Sequence, residues 1–87
     1  MSIKIGAAEF ERLSAAIEAI YQISPVENNY HIQYRLPRGV LFNAHPNSKD
    51  DSLKIHFQYS TDAAGNNKQI VDSIKKMINQ ICSNKKF

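Results

Sequence analysis

His31, His45 and His56 are the three histidines of this 87-residue sequence, the side chains whose ordinary pKa lies nearest neutrality. Two of them sit in nearly identical settings: YHIQYRL (Tyr30 to Leu36) and KIHFQYS (Lys54 to Ser60). Each stretch places His, an apolar residue, Gln and then Tyr in a row: His31-Ile32-Gln33-Tyr34 and His56-Phe57-Gln58-Tyr59. Histidine serves as a ligand for zinc, copper or nickel, as a general base, or as a surface group that responds to pH. A base needs a group to orient it, and neither stretch contains an acid.

The other candidate chemistry is sparse. Cys82 is the single cysteine, so an internal disulfide is impossible and a cysteine-based zinc site lacks ligands. Beside Ile81 on a helical pattern, it reads as a small hydrophobe. Asp50-Asp51 pairs two carboxylates, but in a polar loop beside Lys49, where solvation explains them. There is no Gly-rich phosphate loop and no nucleophile elbow. The sequence argues against an enzyme and names no cofactor and no metal.

The elements that must position the histidines follow from periodicity. Phe10, Leu13, Ile17 and Ile20 recur at helical spacing among five alanines, which predicts a helix from Ala7 to Ile23, ended by Pro25. Ile3 and Ile5 alternate with Ser2 and Lys4, which fits a strand start or a segment packed under the helix. Tyr30, Ile32, Tyr34 and Leu36 then alternate with His31, Gln33 and Arg35, a strand with one apolar face. Pro37-Arg38-Gly39 reads as a three-residue hairpin loop: Pro presets its φ and Gly accepts a positive one. That loop sets Leu36 against Val40, Tyr34 against Phe42 and Ile32 against Ala44, all apolar. Leu53, Ile55, Phe57 and Tyr59 form the apolar side of a third strand. After a turn from Asp62 to Asn67, with Asn66 or Asn67 as cap, Ile70, Ile74, Met77, Ile78 and Ile81 form the stripe of a last helix, with Val71 at its edge.

The expected fold is α+β in a single small domain spanning residues 1–87. Its order is helix-strand-strand-strand-helix: a three-stranded antiparallel meander with two helices packed on one face. The core spans about residues 7–82, with a basic tail over residues 83–87. This register puts His31 directly opposite His45, within reach of a shared ligand, and leaves the reach of His56 open. The element order resembles that of double-stranded-RNA-binding domains across most of the chain. Those domains carry a histidine in the first hairpin loop and a lysine cluster at the start of the last helix. Here the loop is PRG, and the helix start offers Lys68, with Lys75-Lys76 about two turns later.

Two functions of different kinds follow. The apolar members of both repeats, Ile32, Tyr34, Phe57 and Tyr59, point to the core. The opposite face then carries His31, Gln33, Arg35, Leu41, Asn43, His45, Lys54, His56 and Gln58, a hydrogen-bonding and weakly cationic surface. The first reading is a protein-binding module, a regulator, inhibitor or adaptor, that uses His31, Gln33, Arg35, Asn43, His45, Lys54, His56 and Gln58. Tyr21, Tyr30 and Phe87 are candidate anchors, and a homodimer through the sheet face or a sheet edge is a variant of this reading. The second is nucleic-acid binding, with Arg35, Arg38, Lys54, Lys68, Lys75 and Lys76 on phosphates. The formal charge of +3 is unevenly placed: four glutamates outnumber two cations before residue 30, and five lysines outnumber two aspartates after residue 60. Solvated helix faces account for that asymmetry equally well. No apolar run is long enough to cross a bilayer and no signal peptide is evident, so the expectation is a cytoplasmic chain with no membrane partner.

Overall fold

The computed structural model describes residues 3–28, 30–60 and 64–83. In chain order the elements are β1 (Ile3–Gly6), α1 (Ala7–Tyr21), β2 (Val26–Glu27), β3 (Ile32–Arg35), β4 (Leu41–Pro46), β5 (Ser52–Gln58) and α2 (Asn66–Ser83). The expected meander is present as β3-β4-β5, but it forms the middle of a five-stranded antiparallel sheet ordered β1-β5-β4-β3-β2. Three strands are therefore corrected to five, and the core extends outside residues 7–82 to include Ile5. The two added strands have four and two residues, too short for a period-two pattern to register. They also break the element order that carried the likeness to double-stranded-RNA-binding domains.

The hairpin forms in the expected register. Ile32 pairs with Ala44 and Tyr34 with Phe42. Leu36 N–H donates to the Val40 carbonyl at 2.8 Å. Pro37–Gly39 makes a single 3-10 turn, in which Arg38 takes φ 63° and Gly39 φ 77°. Both adopt the left-handed region, which glycine enters without a Cβ penalty.

α1 follows β1 directly. Its first N–H is satisfied from across the chain, by the Asp51 carbonyl at 2.7 Å. It ends at Tyr21, two residues before the expected Ile23, because Gln22 turns left-handed (φ 56°, ψ 49°) and closes the helix before Pro25 acts. α2 begins on Gly65, which has φ 71°. Asn66 and Asn67, the expected caps, are the first two residues of the helix. Asn67 lies inside the first turn and ties the helix to the sheet, donating to the Ser60 carbonyl at 2.7 Å and accepting from Arg38 Nε at 3.2 Å. Of the expected basic tail over residues 83–87, Ser83 ends α2 and residues 84–87, Phe87 included, lie outside the described residues, as do residues 61–63, which include the start of the predicted turn.

Both helices press on the face formed by Ile5, Tyr34, Phe42, Ala44, Leu53 and Ile55. Leu13 and Ile17 come from α1, and Val71, Ile74 and Ile78 from α2. Val71, expected at the stripe's edge, lies near its centre and is 1% exposed. Phe42 has no exposed surface, and the rings of Phe57, Tyr34 and Phe10 lie 5.1, 6.2 and 6.5 Å from it. Aromatic pairs at such distances add about 0.5–1.5 kcal/mol beyond burial. Two expected core residues are outside. Ile20 is 60% exposed, since Tyr21, one turn beyond Ile17, takes the inward position. Tyr59 is 39% exposed because β5 ends one residue earlier.

Candidate functional site

Strand pairing arranges the polar residues of the uncovered sheet face in rows. Arg35, Leu41 and Gln58 form one row, and Gln33, Asn43 and His56 the next. His45 pairs with Lys54, and Lys54 with Lys4 of β1. One residue past the last β3–β4 pair, the His31 ring lies alongside that of His45, with centroids 5.0 Å apart. The expected face is therefore assembled, and Lys4 joins it through a strand that periodicity did not resolve.

Asn43 is the exception to its openness. It was expected on an exposed surface, and it is 1% exposed. The long side chains around it close over the central strand. Asn43 Oδ1 accepts from Gln33 Nε2 at 2.9 Å and from His31 Nε2 at 2.7 Å, and Asn43 Nδ2 donates to Gln58 Oε1 at 3.0 Å. An amide oxygen only accepts, so His31 carries its proton on Nε2. Arg35 Nε leans on Gln33 Oε1 at 3.4 Å. The Asn43 position shows how the same alternation that marks a polar face can hide a buried amide between two glutamines.

His56 reaches the histidine pair. Its Nε2 lies 3.0 Å from His45 Nε2, with ring centroids 5.1 Å apart, so the rings point their nitrogens at each other rather than lying face over face. One ring donates and the other accepts. Burial, and then the charges of His45 and His31, hold the His56 pKa below its ordinary value. Among the described residues no three His, Cys, Asp or Glu groups gather closely enough to hold a metal ion. Asp50 sits at the end of the face. It accepts from the Ser52 backbone N–H at 3.0 Å and from the Ser52 hydroxyl, and it pairs with Lys4 at 3.3 Å. These bonds, the Ser52 hydroxyl first, hold its carboxyl below the usual range.

The six candidate phosphate contacts do not share a surface. Arg35 and Lys54 lie on the open sheet face. Lys68, Lys75 and Lys76 are exposed on α2, on the helical side, with Asp72 one turn from both Lys68 and Lys76. Arg38 lies between, in the hairpin turn, bonded to Asn67. Of the candidate anchors, Tyr30 is 81% exposed and Tyr21 is half-buried. No helix among the described residues is long and apolar enough to cross a membrane. The chain matches no protein-family model, no curated protein and no solved structure, so its own geometry must carry the functional reading.

Proposed function

We propose that the chain is a non-enzymatic protein-binding module of the cytoplasm that regulates, inhibits or adapts a larger protein through its uncovered sheet face. The observation that supports this is the Asn43 network. Four side chains on three strands are already held in one hydrogen-bonded arrangement, so binding has less side-chain freedom left to remove. Among the described residues no serine, threonine or cysteine hydrogen-bonds to the histidines, which favours contact over catalysis. Photo-crosslinking residues placed at Arg35 and Gln58, and at Lys76 as the contrast, test this in cells. The reading expects one adduct of defined mass from both sheet positions, absent from the Lys76 position and lost with Lys54→Glu. No adduct from the sheet, or the same adducts from Lys76, overturns it.

Nucleic-acid binding remains the second reading. It is favoured by the absence of any carboxylate from the three rows, which hold Arg35, Lys54, Lys4 and the histidines. Titration with duplex and single-stranded DNA and RNA over a range of salt decides it. Binding that survives near-physiological salt and weakens in Lys54→Glu supports phosphate contacts on the sheet. Binding lost only in Lys75→Glu/Lys76→Glu moves them to α2.

A further inference from the structure

On the side away from that face, Glu11, Ser14 and Glu18 of α1 recur at i, i+3 and i+7, one stripe along the helix. Opposite the stripe stand Ile32 and Tyr34 of β3 and Glu27 of β2, and between them runs an open groove of about 590 Å³. Among the described residues its lining holds three carboxylates and no lysine or arginine. None of the three makes an ion pair among the described residues. This happens in a chain of formal charge +3, so the local field opposes the global one.

The groove is structured at its base. Tyr34 is 2% exposed, and its hydroxyl donates to Glu18 Oε2 at 2.6 Å. Burial and that carboxylate push the Tyr34 pKa up to about 12, so the hydroxyl stays a donor and Glu18 stays oriented. The Ser14 hydroxyl nearby pulls that pKa the other way, and among the described residues no partner lies within hydrogen-bond geometry of its buried oxygen. An apolar wall and three carboxylates, one of them oriented by Tyr34, suit a guanidinium on an aliphatic stem.

The neighbouring backbone says how such a group arrives. Among the described residues β2 is the last strand of the sheet and pairs only with β3, so no strand of that set covers its outer edge. Glu27 pairs with Ile32, on the helical side, while Val26 pairs with Gln33, on the open side. A strand added along β2 therefore sets its inward side chain beside Glu27, at the groove mouth. We propose that β2 and this groove dock an extended, arginine-bearing segment of a partner protein, on a surface separate from the open sheet face.

The test uses the isotope-labelled full chain and two peptides, acetyl-Thr-Val-Arg-Val-Thr-amide and its counterpart with Glu in place of Arg. The arginine peptide is expected to give saturable amide shifts at Val26, Glu27, Ile32 and Tyr34 and along α1 from Glu11 to Glu18. The Glu peptide is expected to give none. Glu18→Gln/Glu27→Gln should weaken binding about tenfold or more while leaving the spectrum dispersed, because the new amide carbonyl still accepts the Tyr34 hydroxyl. No saturable shifts, equal shifts with both peptides, shifts centred on His45 and His56, or an affinity unchanged in the double variant would each overturn the proposal.

Discussion

His45 and His56 meet nitrogen to nitrogen across β4 and β5, with Nε2 atoms 3.0 Å apart, so a single proton serves both rings. Protonating the accepting ring removes the acceptor, and charging both rings sets two cations against each other, with His31, Lys54 and Lys4 close by and Asp50 engaged with Lys4 and Ser52. His56 is held below its ordinary value, so the unfolded chain takes up the proton first. The contribution to stability is present above the unfolded value of 6.5 and is lost as pH falls through it toward the folded value. Urea midpoints measured at about pH 7.5 and about pH 5.5 should show a drop on acidification that His56→Asn flattens. Equal drops in the two proteins would show that the pair does not carry the effect.

Asn43→Ala removes the buried amide on which Gln33, His31 and Gln58 converge, three hydrogen bonds at once, and opens a gap beneath those side chains. The expected loss is about 2 kcal/mol, against less than about 1 kcal/mol for Arg35→Ala at the exposed rim. Chemical denaturation with an unchanged denaturant slope measures both. A loss at Asn43 no larger than that at Arg35 means the buried amide is not a structural centre.

Tyr34→Phe should cost about 2 kcal/mol at neutral pH, for one hydrogen bond to a carboxylate. It should also change the alkaline limb. The folded pKa of about 12 stands above the ordinary 10.0, so this contribution is intact below pH 10 and disappears as pH rises toward 12. Thermal melts across that range should fall steeply in the parent and more gently in the variant. Parallel curves would remove Tyr34 as the source.

Gly39→Ala isolates backbone strain. φ is +77°, and a Cβ built there meets no heavy atom within 4 Å. The expected cost is about 1–2 kcal/mol with no change in the core, read as a lowered melting temperature with retained aromatic spectra. An unchanged melting temperature would mean that the turn relaxes to another conformation.

What could be read in advance was local. Pro37 and Gly39 set the turn, and period two over Ile32 to Leu36 set the register that brings His31 beside His45. The alternation of Ile3 and Ile5 left β1 as one of two options and β2 escaped, because each is too short to fix a period and is recognised only through its partner. Ile5 belongs to the core because Leu53 lies opposite it, not because of its neighbours in sequence. The reach of His56 depended on the β4–β5 register. That register is closed by bonds within residues 47–52, from Asn47 N–H to the Ser52 carbonyl at 2.9 Å and from Lys49 N–H to Asn47 Oδ1 at 2.9 Å. Asn43 looked like a surface amide because its burial is produced by side chains on two other strands. The groove was unreadable for a related reason: Glu11 and Glu27 share it only once α1 lies beside β3.

The pairing of β1 with β5 gives the chain a late step in its assembly. The partners Ile3 and Ile55 are 52 positions apart, whereas both hairpins of the meander close over a few residues. During synthesis β1 must wait for β5 to emerge before it has anything to pair with. Until β1 docks on it, β5, seven residues long and carrying Leu53, Ile55 and Phe57, is an open rail along which another newly made copy can align. A chain shortened by residues 1–6 would keep its hairpins and still be caught there, and the defect would surface as fibril growth rather than as missing helix.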